Sequence, residues 1–85
     1  MRQMRKGAVQ IRFEILEFLY YSSAPQLRTY IWRRATSLSY DDFLKHLLFL
    51  EKAGLVKDSG DGRYKLTPKG RKIYENLRNS LPSIL

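Results

Sequence analysis

The segment LSYDDFLKHLLFLEKAGLVKDSGDGRYKLTPKG, Leu38 to Gly70, carries most of the fold information in this chain. Ser39 stands where a helix N-cap belongs, and Asp41 and Asp42 fall in the first turn, where the helix dipole favours negative charge. Phe43, Leu44, Leu47 and Leu50 then recur at helical spacing and predict a buried stripe. Leu48 and Phe49 widen it beyond what one core face needs. Gly54 sits at the position of a left-handed C-terminal residue, with Leu55 just beyond to close the hydrophobic contact. Leu55-Val56-Lys57 and Arg63-Tyr64-Lys65-Leu66 read as two short strands joined by Ser59-Gly60-Asp61-Gly62. Asp-Gly is a strong hairpin signal, because both residues tolerate positive φ. Tyr64 and Leu66 share one strand face, and Arg63 and Lys65 the other. Thr67-Pro68 reads as an N-cap and first helical residue.

Outward from this segment the chain is helical. A first helix is expected from about Gly7 to Tyr21, with Ile11, Ile15, Leu16, Phe18 and Leu19 on one side and Gln10, Glu14 and Glu17 on the other. Ser22-Ser23-Ala24-Pro25 breaks it. A second helix is expected to start near Pro25 or Gln26, with Leu27, Ile31 and Ala35 as its apolar stripe and Arg28, Arg33 and Arg34 facing outward. Thr36-Ser37-Leu38 is a short turn. The last helix is expected over 68–80, with Ile73, Leu77 and Leu81 four apart, and Pro82 ending it. The fold class is therefore mainly α with a small β-hairpin: a winged helix-turn-helix with three helices, two strands and a fourth helix in that order. The chain reads as a single domain over residues 1–85, with a basic N-terminal arm at 1–6 and a wing at 55–66.

Composition restricts the function. The 85 residues allow one modest core. Having no cysteine, the chain can form no disulfide, thiolate zinc site or cysteine nucleophile, and its lone histidine, His46, cannot build a multi-histidine site. No apolar run reaches the roughly 18 to 20 residues of a membrane span. Basic residues before an apolar stretch at the N-terminus suggest a signal peptide, but Glu14 and Glu17 interrupt that stretch at helical spacing and argue against it. The formal net charge is +8, unevenly placed: +5 over residues 1–34, −1 over 35–56 and +4 over 57–85. Two basic blocks flank a nearly neutral middle, which points first to nucleic acid.

The chain resembles the small archaeal winged helix-turn-helix DNA-binding proteins, of the chromatin-associated and transcription-regulator types. The matching pattern is Arg28-Thr29-Tyr30-Ile31, Leu38-Ser39-Tyr40, Leu47, Leu50, Gly54-Leu55-Val56 and Gly62 through Gly70, across roughly residues 12–78. The resemblance implies that the third helix reads the duplex while the hairpin grips flanking backbone. It also implies pairing through a long C-terminal helix. This sequence departs from the pattern in a shorter last helix meeting Pro82, a longer second turn, and His46 at a usually aromatic position.

The expected contacts to double-stranded DNA are Arg28, Arg33 and Arg34 on the second helix, Ser39, Tyr40 and Lys45 on the third, Lys57, Arg63 and Lys65 on the wing, and Lys69 opening the last helix. Ordinary solvated faces account for many of these equally well. Asp41 and Asp42 act first as capping residues, and Tyr40 and Trp32 first as packing residues. The expected role is transcription regulation by a cytoplasmic, nucleoid-associated protein, with a homodimer through Ile73, Leu77 and Leu81. No cofactor, metal, membrane partner or catalysis is expected. Two other readings stand beside this one: a protein-interaction module, which Asp41 and Asp42 on the third helix suit and an exposed Leu48–Phe49 patch without nearby cations would favour, and an RNA-binding protein that uses the same basic clusters and stacks Trp32 and tyrosines on unpaired bases.

Overall fold

The computed structural model describes residues 7–84, so the basic arm at 1–6 lies outside it. Helix α1 spans Ala8–Tyr20, strand β1 Gln26–Leu27, helix α2 Arg28–Ala35, helix α3 Tyr40–Lys52, strands β2 and β3 Val56–Asp58 and Arg63–Leu66, and helix α4 Pro68–Ile84. The order is the expected one with a third strand added. The sheet is antiparallel, with β3 between β1 and β2.

The added strand corrects the expected start of α2. Gln26 and Leu27 pair with Tyr64 and Arg63, so the chain stays extended through Leu27 and turns helical only at Arg28. Pro25 precedes a strand instead of opening a helix, and its missing N–H removes a donor at the sheet margin. Leu27 consequently turns away from the core and is 41% exposed, leaving Ile31 as the buried residue of α2.

Capping follows the sequence closely. Ser39 Oγ accepts from the Asp42 amide at 3.2 Å, and Thr67 Oγ1 accepts from the Gly70 amide at 2.9 Å. Gly54 has φ +78°, the left-handed residue that ends α3, and the Leu55 amide reaches back to the Leu50 carbonyl at 2.9 Å. At the hairpin tip Asp61 and Gly62 both have positive φ, at 58° and 72°, which gives the Asp-Gly pair its reason.

The second correction is Pro82. The helix continues past it to Ile84, so α4 has 17 residues, a length of roughly 25 Å. A proline this near a C-terminus costs little, since few further turns depend on the bond it removes.

The core gathers Ile11, Ile15, Leu16 and Leu19 of α1, Ile31 of α2, Phe43, Leu47 and Leu50 of α3, Leu55, Val56 and Tyr64 of the wing, and Tyr74 of α4. Tyr74 is the largest side chain fully buried there. Ile73 and Leu77, at the expected spacing, are only half-buried, and the side chain of Leu81 lies outside the described residues. Gly70 is required by contact: a Cβ there would stand 2.0 Å from the Leu55 carbonyl oxygen. That oxygen already accepts from the Thr67 amide at 3.0 Å, so helix and wing stem meet backbone to backbone.

Candidate nucleic-acid interface

The sheet presents one apolar and one cationic face. Tyr64 points inward and Leu66 is half-buried beside it, while Arg63 and Lys65 are exposed on the opposite side. Lys57 pairs directly with Lys65 across the ladder, so two ammonium groups start from adjacent positions on the same face. Opposed like charges destabilise a strand pair. Among the described residues no carboxylate forms an ion pair with Lys57, Arg63 or Lys65. Leu27, opposite Arg63, extends this face toward α2.

Helix α2 begins against the wing. The Arg28 amide donates to the Gly62 carbonyl at 3.3 Å, which places the guanidinium near the hairpin. It lies beside Tyr64, whose hydroxyl is pushed above its ordinary pKa by burial and by Glu51, with Arg28 opposing. Arg33 and Arg34 are exposed in the last turn, where cations suit the helix dipole. They lie over Trp32 and Tyr30, at 5.8 and 5.3 Å from the ring centroids.

The third helix contributes less free charge. Ser39 is engaged as the cap, although its hydroxyl hydrogen remains available to an acceptor. Lys45 is 4.0 Å from Asp42, both groups well exposed, a pairing too solvated to count for much. Tyr40 is half-buried, its ring 5.2 Å from Trp32 and 6.0 Å from Phe43. Trp32 in turn donates from Nε1 to the Leu38 carbonyl at 2.7 Å, closing the turn between α2 and α3. Both rings make packing contacts within the domain. Lys69 is committed as well: its Nζ donates to the Ala53 carbonyl at 3.0 Å, at the negative end of α3.

The structure thus brings Arg28, Lys57, Arg63 and Lys65 together around the wing, with Arg33 and Arg34 along α2. Ser39 and Lys45 sit separately at the start of α3.

A second cluster, between α1 and α4, escaped the sequence reading. Tyr74 stacks on Phe13 at 5.1 Å and meets Tyr20 at 4.6 Å. Tyr20 donates to Glu75 at 2.6 Å, and Tyr74 to Glu17 at 3.1 Å. These acceptors push both hydroxyls above their usual pKa: the Glu75 hydrogen bond leads for Tyr20, and burial leads for Tyr74, ahead of Glu17. Arg71 lies 4.9 Å from the Tyr20 ring centroid. Arg78 lies 5.4 Å from Tyr20 and 5.6 Å from Tyr74, and donates to the Tyr21 hydroxyl at 3.1 Å. The signal was present in Tyr20, Tyr21 and Tyr74, but only the packing of α1 on α4 aligns them.

A further cation is engaged on α1. Arg12 donates from Nε to His46 Nδ1 at 3.2 Å, and its guanidinium carbon lies 3.6 Å from the Phe49 ring centroid. Burial and Arg12 together hold His46 below its usual pKa. Among the described residues no group of acidic, histidine or cysteine side chains could hold a metal, and no helix is long and apolar enough to cross a membrane.

Among solved structures, the fold is similar to a crystal structure of AF1382 from Archaeoglobus fulgidus, with 22% identity, a TM-score of 0.70 and 86% of each chain covered. No curated protein matches. The winged helix-turn-helix family model matches residues 5–82. With this match across nearly its whole length, and with the architecture described above, the chain belongs to the winged helix-turn-helix family.

Proposed function

We propose that this protein binds double-stranded DNA through backbone contacts from its wing and second helix, and that it acts in transcription regulation. The observation that carries this reading is the cross-strand pair Lys57 and Lys65, with Arg63 on the same face and no carboxylate paired to any of them among the described residues. Such a face costs folding energy alone and recovers it when phosphates fill the space between the cations. Family membership supports the same class of ligand. Ser39 and Lys45 would reach the groove at the start of α3. Asp41 and Asp42 beside them would hold that helix back from phosphate, leaving most of the affinity to the frame around it.

The role is one of binding and not catalysis. A cytoplasmic, nucleoid-associated location and a homodimer through Ile73, Leu77 and Leu81 belong to the same proposal. The half-buried Ile73 and Leu77 on a helix of 17 residues support the dimer.

The test is a fluorescence anisotropy titration with duplex DNA over a range of salt. Neutralising four to six phosphates gives a log–log slope of roughly −4 to −5. A flat salt dependence would overturn the reading. The rival role, docking to another protein, calls for an apolar Leu48–Phe49 patch without cations. Both side chains are about half-exposed, but Arg12 lies against the Phe49 ring.

A further inference from the structure

Beside the cationic face runs an open groove of about 330 Å³, lined by Gln26, Leu27, Tyr30 and Arg63. Its walls are the outward side of β1, the start of α2 and the middle strand. Tyr30 is 44% exposed and Leu27 41%, so an aromatic ring and an aliphatic side chain face water together. Among the described residues no acidic one lines the groove. Arg34 lies 5.3 Å from the Tyr30 ring centroid, and Arg63 forms one wall. Neither arginine has an ion-pair partner among the described residues.

Tyr30 differs from the other tyrosines in having little structural work. Tyr20 and Tyr74 donate to carboxylates, Tyr21 accepts from Arg78, Tyr40 packs on Trp32, and Tyr64 is buried. Apart from Arg34, Tyr30 makes one tilted ring contact, with Phe18 at 6.0 Å. Trp32, the other large ring on α2, is committed to the turn.

An exposed ring with one arginine over it and another on the groove wall presents the two elements that recognise a single-stranded nucleotide: an aromatic surface for the base and cations for its phosphates. A base-paired strand keeps its base faces inside the stack, so this combination suits an unpaired one. The groove is also continuous with the wing, because Leu27 stands opposite Arg63 on the same sheet face as Lys57 and Lys65. We infer that this groove is a stacking subsite for an unpaired base on a strand leaving the bound duplex, with Tyr30 and Leu27 under the base and Arg34 and Arg63 at its phosphates. The inference rests on the wing being a nucleic-acid contact, and it adds a ligand that the wing alone does not distinguish.

The test compares a blunt duplex with the same duplex carrying a single-stranded tail that contains a fluorescent purine analogue. The wild-type chain should bind the tailed probe about tenfold more tightly than the blunt one and quench the analogue. Tyr30→Leu, which keeps apolar bulk but removes the ring, should abolish preference and quenching while leaving blunt-duplex affinity unchanged. Tyr30→Phe should retain both. Equal binding of the two probes by the wild type, or a preference that survives Tyr30→Leu, would overturn the subsite and leave duplex binding standing. A ring-dependent grip on the tail without blunt-duplex binding would support the subsite and overturn the duplex reading. Binding of neither probe would overturn both.

Discussion

The wing and the α1–α4 seam are both rich in cations, but they use them differently. At the seam, Arg71 and Arg78 lie over tyrosine rings, and Arg78 also donates to Tyr21. Nearby, Arg12 is held by His46 and Phe49, and Lys69 by a carbonyl at the end of α3. On the wing, Lys57 and Lys65 oppose each other, with Arg63 beside them. The net charge of +8 is therefore a poor guide to where an anion sits. Part of it stabilises the protein, and only the remainder is free to attract a ligand.

Substitutions can break or sharpen this contrast. The largest effect is expected at the joint between the two regions. Gly70→Ala would drive a Cβ into the Leu55 carbonyl, a backbone atom that cannot step aside. A loss of about 3 kcal/mol or more is expected, at the upper end of overpacking costs, read as a large fall in the urea midpoint. A normal midpoint would mean that α4 and the wing stem are not locked together.

On the wing, Arg63→Ala with Lys65→Ala should lower duplex affinity on the order of tenfold to thirtyfold at physiological salt and reduce the salt slope by about two. The loss should be similar on every sequence, because phosphates are alike. The urea midpoint should hold or rise slightly, since a like-charge pair is relieved. Loss confined to one sequence would make the wing a base reader.

The seam should give the reverse. Arg71→Ala with Arg78→Ala should lower the urea midpoint through lost contacts on Tyr20 and Tyr74, while duplex affinity changes less than at the wing. If affinity falls as far as it does for the wing pair, the division between structural and free cations is wrong.

The smallest effect concerns His46. Its folded-state pKa is depressed, so the folded chain binds protons less readily than the unfolded one. Stability is then full above the unfolded value of about 6.5 and declines as pH falls, until the folded group also protonates. Protonation removes the acceptor for Arg12 and sets two cations together. His46→Gln retains an acceptor without titrating. Its melting temperature should fall less between pH 7 and 5 than that of the wild type, and parallel curves would remove His46 from the account.

Much of the fold was legible because its signals are local. Ser39, Gly54, the Asp61-Gly62 turn and Thr67 each report a cap or turn within a few residues, and each stands where expected. What was missed depends on distant partners. Gln26-Leu27 is too short for any alternation to show, and it is a strand only because β3 has a free edge. The helix running past Pro82 shows the weakness of a single breaker in the last turn of a helix. The shared, exposed strand face of Arg63 and Lys65 was legible from residue type and alternation. Lys69 looks equally free in the sequence, yet the structure ties it to Ala53. In the sequence Tyr30 stands out only within the Arg28–Ile31 pattern, and nothing local there shows that its ring is exposed beside Leu27.

The wing root has a consequence for how the molecule would meet a duplex. Thr67 Oγ1 donates to the Gly54 carbonyl at 2.6 Å, Lys69 holds Ala53, and the Thr67 amide holds Leu55. These bonds fasten the end of α3, the base of the hairpin and the start of α4 at one point. The tip at Ser59–Asp61 is exposed, and its bonds run only within the hairpin. The wing is thus held at its stem and along one flank, because β1 pairs with Tyr64 and Arg63 and the Arg28 amide holds the Gly62 carbonyl. A duplex would therefore meet a wing and an α3 set at a fixed angle to each other, with only the Ser59–Asp61 tip left to yield to a groove of changing width.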